Sequence, residues 1–398
     1  MTRARPGWPA VLAWAALAAC AAVHVHVAVR RPGGPDGMSD LGVYTGAARA
    51  LLGGGSLYDF AAANADRFVY PPFAGLLVVP VAVLPDVVGR VAWTLLQCVE
   101  VAVLAWAVTR RAPLPALVRV PRGARVPLVS GVLMLTYPVF SGLFLGQVSL
   151  LVTLLALLDA VDLTPRWCRG VATGLAAAVK LTPLAFVPYL WFTGRRRAAL
   201  TALGTFLALG AGAAVLAPAE TRRYLASAGA ERPFIDLAQA DNASLAGLVA
   251  RVAHPVATGW PSSVAGTVVV AALVVRGYRR AVQAYRQEQV LAGTVVVGAL
   301  VVLVSPVSWS HHQVLLVVAA ACTVGLSRRW AAAWPLGVLA LTSVPAQAVL
   351  LHLWTPGPLV RESSVLLALA LVCVVPFRAV PRPAAAGESV LRRSVGDA

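Results

Sequence analysis

The sequence predicts an all-α polytopic membrane protein, and three observations support this fold class. Of the 398 residues, 59% are hydrophobic and only 12% are charged, whereas soluble domains carry roughly 25% charged residues. Apolar runs recur at lengths close to the ~20 residues that a helix needs to cross a bilayer. Runs such as 290–304 are apolar without a break, whereas the strands of a membrane barrel alternate polar and apolar residues. The spans are therefore predicted to be helices.

The apolar runs predict twelve candidate spans in one transmembrane domain over residues 1–378. They lie at 8–29, 70–85, 87–109, 127–143, 147–162, 170–192, 198–217, 263–275, 290–305, 312–326, 331–350 and 363–378. The polar segments 30–69 and 218–262 form the first and second external loops. The Pro-, Ala- and Arg-rich tail, 379–398, is predicted to be disordered and cytoplasmic. The first run follows a basic start like that of a signal peptide, but it is too long for one, so we expect it to be retained.

The arginines predict the orientation of the bundle. The formal net charge is +17, with 33 Lys or Arg against 16 Asp or Glu. Arginines cluster in short loops, such as Arg195–Arg197 and Arg328–Arg329, and short basic loops face the cytoplasm. Because the arginines lie between spans, we expect them to meet membrane lipids and expect no nucleic-acid partner. The five cysteines have no paired spacing, so neither a disulfide framework nor a zinc site is predicted.

One loop conflicts with a count of twelve spans. Residues 110–126 contain five arginines, yet twelve spans place this loop outside. The run 70–85 is short and rich in proline, so it is a candidate re-entrant segment. In that case 170–192 has to break at Thr182-Pro183 into a hairpin, so that the later loops keep the sides of the membrane that the twelve-span count gives them. Both counts stay open, and both leave the first and second external loops on one face, together with 305–311 and 351–362.

A carboxylate stands just outside the first predicted span. Asp40 lies in the first external loop, which also carries Tyr44, Tyr58 and Tyr70. An ionisable group beside lipid is costly to keep, so its presence favours a function. Two interpretations stay open: Asp40 is a catalytic base, or it is a loop acid paired with Arg31.

Further polar groups gather at the ends of spans and in the loops of the same face. They are Gln147, Lys180, Asn242, Ser244, Arg251, Trp309, His311 and His312. Lys180 is the only lysine in an arginine-biased chain. This indicates that the position needs a compact ammonium group, for example to contact a phosphate. Neighbouring histidines point about 100° apart on a helix, so His311 and His312 are not expected to chelate one metal. Asn242 and Ser244 either form a sequon or cap a helix.

Several motifs are absent from the sequence. It contains no Asp-x-Asp, no Walker A loop and no Gly-x-Gly-x-x-Gly, so nucleotides and nucleotide-sugar donors lose support. No metal or other cofactor is predicted from the residues.

Taken in order, the polar motifs resemble those of the polyprenol-phosphate-mannose-dependent mannosyltransferases of actinobacteria, glycosyltransferase family 87, in the membrane class called GT-C. The motifs are Ser39-Asp40-x-x-Val43-Tyr44, Leu57-Tyr58, Tyr70-Pro71-Pro72, Gly146-Gln147-Val148-Ser149, Lys180-Leu181-Thr182-Pro183, Asn242-x-Ser244-Leu245 and Ser305-Pro306-x-Ser308-Trp309-x-His311-His312. Ser149 departs from the family pattern, which often has Asn at this position.

The resemblance implies a GT-C bundle of about 11–12 transmembrane helices with its active site on the extracytoplasmic face of the bacterial plasma membrane. It implies a polyprenyl-phosphate-mannose donor, a hydroxyl of a lipid-linked glycan as acceptor, and inversion at the anomeric carbon. Asp40 would be the general base. Lys180, Arg251 and a histidine of the His311-His312 pair would stabilise the leaving phosphate.

The remaining candidates would bind substrate. They are Tyr44, Tyr58, Tyr70, Gln147, Asn242, Ser244 and Trp309. For the aromatic residues, an interfacial belt is the alternative interpretation. Three other functions stay open: transfer of another sugar such as arabinofuranose, transport of a lipid or solute, and a non-catalytic scaffold.

Overall fold

The computed structural model of the chain describes residues 7–30, 38–114, 117–227, 236–253, 263–343 and 362–378. These residues form seventeen α-helices joined by turns, short 3₁₀ segments and isolated β-bridges. The helices are α1 Trp8–Arg30, α2 Ser39–Leu52, α3 Pro72–Ala82, α4 Asp86–Arg111, α5 Arg122–Met134, α6 Tyr137–Leu145, α7 Ser149–Ala160, α8 Val171–Val179, α9 Phe186–Phe192, α10 Arg196–Leu216, α11 Pro218–Ala226, α12 Leu245–Ala253, α13 Val264–Arg286, α14 Val290–Val304, α15 Val314–Val318, α16 Arg328–Thr342 and α17 Ser363–Cys373. The predicted all-α fold is confirmed. The tail 379–398 and Arg31 lie outside the described residues.

Within the described part of the chain, three helices have the length and hydropathy to cross a membrane unbroken. They are α1, α4 and α10. Half of the apolar window of α4 is buried inside the protein, against 6% for α1 and 17% for α10. α4 is therefore half-buried, whereas α1 and α10 lie mostly on the outside and show large apolar side chains such as Trp14 and Leu207 to the surroundings. Such surfaces suit lipid rather than water.

Other predicted spans fold as shorter or broken helices. The run 70–85 contains only the 11 residues of α3, which reach about 16 Å along the axis and cannot cross ~30 Å of hydrocarbon. The run 170–192 breaks where the hairpin alternative requires: α8 ends at Val179, a 3₁₀ turn covers Thr182–Ala185, and α9 begins at Phe186. Pro183 has no backbone N–H to continue the first helix, which explains the break.

The chain just before this broken segment and the chain just after it lie side by side. Arg195, which follows the segment, donates from its Nη1 to Ala160 O at 2.6 Å and lies 3.3 Å from Asp162 Oδ1, and both of these residues precede the segment. Arg111 Nη2 donates to Asp162 O at 2.7 Å. We call the region of 110–111, 159–169 and 195 the arginine end. Because Arg111 and Arg195 meet there, the five-arginine loop 110–126 begins on the same side as Arg195–Arg197, as the charge rule for short loops requires.

The fold also extends one helix beyond its predicted span. The span 263–275 becomes α13, which continues to Arg286. Its arginines reach carbonyl groups at and just after the end of α17: Arg276 contacts Cys373 O and Arg280 contacts Val375 O. α14, by contrast, is buried along nearly its whole length, in agreement with its unbroken apolar sequence.

The two external loops contact each other, as expected of loops on one face. Ser56 Oγ and Leu57 N both donate to buried Glu220 Oε2, at 2.8 and 2.9 Å. Arg223 Nη1 pairs with Asp59 Oδ2 at 2.6 Å. We call the region of α2, residues 146–149, the 180–185 turn and residues 305–313 the site end.

Candidate active site

The position of Asp40 is fixed by the start of α2. Met38, just before the helix, has φ 52°, and its N–H donates to Phe144 O at 2.9 Å. This contact ties the start of α2 to the end of α6. Asp40 lies in the first turn of α2, where the positive end of the helix dipole favours a carboxylate.

A tight turn brings Gln147 to Asp40. Gly146 has φ 70°, and a Cβ atom added there would lie 2.7 Å from Leu41 Cβ, so this position requires glycine. Gln147 follows directly, and its Nε2 donates to Asp40 Oδ2 at 2.6 Å. From α4, Gln97 Nε2 donates to Gln147 O at 3.0 Å and so supports the turn from behind.

The side-chain oxygen of Gln147 accepts hydrogen bonds from three hydroxyl groups. Its Oε1 accepts from Tyr44 Oη at 2.8 Å, from Tyr70 Oη at 3.4 Å and from Ser149 Oγ at 3.4 Å. These donors fix the orientation of the amide, which must then present its Nε2 to Asp40. Tyr44 is only 2% exposed, so it forms part of the wall of the site.

Lys180 and His312 continue this line of contacts. Lys180 lies at the break after α8, and its Nζ donates to Ser149 Oγ at 3.1 Å. The same Nζ lies 2.6 Å from His312 Nε2 and 5.3 Å from the centroid of the Tyr70 ring. We call Asp40, Gln147, Ser149, Lys180 and His312 the Asp40 cluster.

The hydrogen bonds of His312 determine its tautomer. Nδ1 accepts from the backbone N–H of Trp309 at 3.1 Å, so a neutral ring carries its proton on Nε2. This proton then points at Lys180 Nζ, which can accept it only as the neutral amine. Two groups that both prefer to donate therefore face each other at the end of the Asp40 cluster.

The two histidines have different surroundings. The rings of His311 and His312 are perpendicular, with centroids 4.5 Å apart and an interplanar angle of 85°. His311 is buried, and its Nε2 has no hydrogen-bond partner among the described residues. His312 alone has a hydrogen bond that joins it to the cluster. In the described part of the chain, no three His, Cys, Asp or Glu side chains group closely enough to hold a metal ion.

Burial raises the pKa of the Asp40 carboxyl from its ordinary value to about 6. The hydrogen bond from Gln147 opposes this shift, the negative charge of Asp66 adds to it, and Lys180 lowers it. Asp40 is therefore ionised at neutral pH, but it is a stronger base than an ordinary aspartate.

Arg251 lies in a different set of contacts from Asp40 and Lys180. Its Nε and Nη2 each contact one oxygen of Glu362 at 2.6 Å, a bidentate ion pair. Its Nη1 donates to the carbonyl groups of Gln239 and Asn242. The predicted phosphate role of Arg251 stays a prediction, while these contacts connect α12 to the start of α17.

Asn242 and Ser244 are fully buried and hold the segment that carries His312. Asn242 Oδ1 accepts from Ser308 N at 2.9 Å and from Ser244 N at 3.2 Å. Ser244 Oγ donates to Pro306 O at 2.9 Å and accepts from Gly247 N at 2.9 Å. The second of these bonds caps α12, which is one of the two interpretations left open for this pair.

The remaining aromatic candidates lie beside the cluster rather than in it. Tyr58 Oη donates to Tyr70 O at 2.9 Å, and its ring stacks with Tyr224 at 6.2 Å between centroids. Trp309 is half-buried and contributes its backbone N–H to His312. Gln97 is a supporting residue that the sequence analysis missed, although an amide inside an apolar run is itself a signal of function or packing.

Comparison with known proteins gives a consistent picture. A model described as glycosyltransferase family 87 matches residues 68–306. The chain is 31% identical over 339 residues to a polyprenol-phosphate-mannose-dependent alpha-(1-2)-phosphatidylinositol mannoside mannosyltransferase of Mycobacterium tuberculosis, covering 81% of this chain and 77% of the relative. It is 33% identical over 286 residues to a corresponding pentamannoside mannosyltransferase of Mycolicibacterium smegmatis, covering 70% of this chain and 67% of the relative. No solved structure shows a significant match.

Proposed function

Because the chain belongs to glycosyltransferase family 87 and is a membrane glycosyltransferase, we propose that it transfers mannose from polyprenyl-phosphate-mannose to a hydroxyl of a lipid-linked glycan. The descriptions of its relatives support both this donor and a lipid-based acceptor. Family membership favours an enzyme over the transporter and the scaffold. Transfer of arabinofuranose from a similar donor is the second candidate, and no contact in the site favours it.

The observation that carries the proposal is the unbroken line of contacts through the Asp40 cluster. It joins a carboxylate of raised basicity at one end to a lysine and an imidazole at the other. A transfer from a phosphate donor needs these two functions at opposite sides of one sugar: a base for the attacking hydroxyl and cations or donors for the leaving phosphate.

At the base end, we assign the acceptor proton to Asp40. Gln147 occupies Oδ2, so Oδ1 is the oxygen available to the incoming hydroxyl. The hydroxyl oxygen attacks the anomeric carbon as its proton passes to Asp40. The bond from that carbon to the phosphate oxygen breaks, and the leaving phosphate keeps the electron pair. Attack opposite the leaving group inverts a β-linked donor into an α-linked product.

At the phosphate end, Lys180 and His312 supply the stabilisation. In the arrangement described, Nζ and Nε2 face each other 2.6 Å apart, and both are groups that donate to anions. A phosphate oxygen bound beside them accepts from both, which also lets Lys180 carry its proton as an ammonium. Charge-assisted bonds of this kind are about twice as strong as neutral ones.

Asn242, Ser244 and Arg251 support the proposal indirectly. Their contacts hold the 306–308 backbone and α12 in place, and this backbone leads directly to His312. Direct contact of these three residues with substrate stays a prediction. The arginine end supports a cytoplasmic side opposite the site end, so we propose that transfer takes place at the extracytoplasmic face of the bacterial plasma membrane.

The test is transfer by the purified full-length protein from radiolabelled polyprenyl-phosphate-mannose to a phosphatidylinositol mannoside acceptor. Asp40→Asn should lose about 10²–10⁴-fold in kcat, the usual contribution of a positioned general base. Asp59→Asn, which alters an exposed acid of the same loop, should retain wild-type turnover. Full activity of Asp40→Asn would refute the assignment of the base, and absence of transfer by the wild type from this donor would refute the donor.

A further inference from the structure

A cavity of about 300 Å³ lies at the arginine end, between the last residues of α4 and the turn that joins α13 to α14. It is distant from the Asp40 cluster, because Gln97, which contacts Gln147, lies about 20 Å before Arg110 along the axis of α4. Asp162, whose carboxylate pairs with arginines at the same end, does not line it. The cavity is therefore separate from the Asp40 cluster and from the ion pairs of Asp162.

The lining of this cavity is basic. Arg110 and Arg111 end α4, and Arg378 follows α17. Glu288 is the one acid among the described residues that line the cavity, so the formal charge of the lining is +2. Two arginines remain in excess even when Glu288 offsets the third. Arg111 Nη2 donates to a neutral carbonyl group, that of Asp162, and keeps its charge. A concave surface with this excess attracts an anion.

The unsatisfied start of α14 borders the same cavity. Val290, Leu291 and Ala292, the first three residues of this helix, all line it. The first N–H groups of a helix have no acceptor within the helix, and Gln289, just before them, provides no side-chain cap. Because N–H groups in the first turn point out of the start of a helix, these donors and the positive end of the helix dipole lie at the wall of the cavity. Phosphate groups bind in such surroundings.

A side-chain donor at the same wall also lacks a partner. Gln289 lines the cavity, and its Nε2 is buried without a hydrogen-bond partner among the described residues. A buried donor that stays unsatisfied destabilises the fold, and a bound acceptor removes this cost. Guanidinium groups, backbone N–H groups and an amide therefore surround one space, and all of them donate.

From these donors and this charge, we propose that the cavity binds a phosphate group. Its oxygens would accept from the start of α14 and from Gln289, and the arginines would bind them through charge-assisted contacts. The volume of about 300 Å³ is at the lower limit of ligand sites, about 300–1,000 Å³, so it suits a phosphate with a small group attached. The phosphate belongs either to an anionic phospholipid or to a soluble phosphate ester. The site does not depend on the proposed function.

Binding is measured on the full-length protein in detergent, freed of phosphate. Native mass spectrometry compares phosphatidylglycerol with phosphatidylcholine, and thermal unfolding at constant ionic strength follows the effect of inorganic phosphate. Retention of phosphatidylglycerol about tenfold stronger than that of phosphatidylcholine identifies a lipid, since one additional charge-assisted contact is worth about that factor. A Tm raised by inorganic phosphate, with equal retention of the two lipids, identifies a soluble phosphate. Equal retention together with an unchanged Tm would overturn the proposal.

Variants of the lining locate the site. Arg378→Gln removes one charge, and Arg378→Lys keeps it. Arg279→Gln is the matched control, because Arg279 is an exposed arginine of α13 that does not line the cavity. Whichever ligand binds should bind about tenfold more weakly to Arg378→Gln, more tightly to Arg378→Lys than to Arg378→Gln, and with wild-type affinity to Arg279→Gln. Equal weakening in Arg279→Gln and Arg378→Gln would show that the anion responds to general surface charge.

Gln289→Leu separates binding from folding. It replaces the unpaired amide with an apolar group of similar size, so no hydrogen bond of Nε2 is lost. Without ligand, the Tm of this variant should be no lower than that of the wild type, whereas the rise in Tm on ligand binding should be smaller. A lower Tm without ligand, combined with an unchanged rise on binding, would show that the amide serves the fold instead of a phosphate.

Discussion

The arginine end and the site end use polar groups in opposite ways. At the arginine end, Asp162 Oδ1 receives Arg169 at 3.0 Å and Arg195 at 3.3 Å, and Arg111 donates to the carbonyl of the same residue. Cations there meet anions and carbonyl groups. At the site end, Lys180 and His312 present two donors to each other, and Asp40 holds a carboxylate whose pKa is raised by burial.

We propose that this difference distinguishes a structural polar cluster from a functional one. The contacts at the arginine end pair charges of opposite sign and close the helix ends. At the site end, we propose that a bound anion relieves the cost of two facing donors, because it supplies the acceptor that Lys180 Nζ and His312 Nε2 do not offer each other. Substitutions at the arginine end should therefore change stability, whereas those at the site end should change turnover and donor binding.

The largest expected effect, after that of Asp40→Asn, is that of Lys180→Met. The variant should lose about 10²-fold in kcat/KM for the donor, the usual cost of removing one donor from a developing anion. Arg169→Met, at the arginine end, is the matched control and should keep the kcat/KM of the folded fraction. Steady-state kinetics at varied donor concentration measure both. An equal loss in the two variants would remove the distinction between the two ends.

The second prediction concerns pH. Since the pKa of Asp40 is raised to about 6, the base is protonated and inactive below that pH. The value of kcat/KM should therefore fall about tenfold per pH unit on the acid side of pH 6. Gln147→Glu puts a second carboxylate beside Asp40, which disfavours its ionised form. The acid limb should then move to higher pH, and an unchanged limb would show that another group is titrating.

The third prediction tests the arginine end by itself. Asp159 is fully buried and accepts from Thr173 N at 2.8 Å and from Thr164 Oγ1 at 2.6 Å. Asp159→Ala leaves a buried N–H without its partner and should cost about 1–3 kcal/mol of folding free energy. Thermal unfolding in detergent should report a lower Tm, with the turnover of the folded protein unchanged. A loss of turnover at unchanged Tm would contradict the structural role.

The smallest expected effect belongs to Ser149, the middle of the Asp40 cluster. Ser149→Ala removes one neutral hydrogen-bonding group between Gln147 and Lys180, so kcat/KM should fall only about fivefold. Ser149→Asn keeps a polar group there and should retain more activity than Ser149→Ala. A loss approaching that of Lys180→Met would mean that the serine contacts substrate directly.

Much of the fold follows from the apolar pattern. Unbroken apolar residues predict the buried helix α14 nearly to its ends, and Pro183 marks the break between α8 and α9. The length of α13 is not readable in this way, because its charged last turns continue the helix beyond the apolar run. The ion pairs of Asp162 with Arg169 and Arg195 are not readable either, since the loop geometry decides which arginine reaches the carboxylate.

The residues of the candidate site were more predictable from the sequence than the contacts between those residues. Motif order brings together Asp40, Gln147, Lys180 and His312, and the structure has them in contact. The pairing of Arg251 with Glu362 joins residues 111 positions apart, and no local pattern encodes such a partner. Gln97 was missed for a similar reason, because its contact with the backbone of Gln147 depends on how α4 packs.

The most direct test of the central claim is to measure, in two variants, the binding of radiolabelled polyprenyl-phosphate-mannose without acceptor. If the base and the phosphate groups are distinct ends of one site, Asp40→Asn should bind this donor as tightly as the wild type, although it fails to transfer the sugar. Lys180→Met should bind the donor clearly more weakly. Donor affinity that is lost in Asp40→Asn but kept in Lys180→Met would contradict the account.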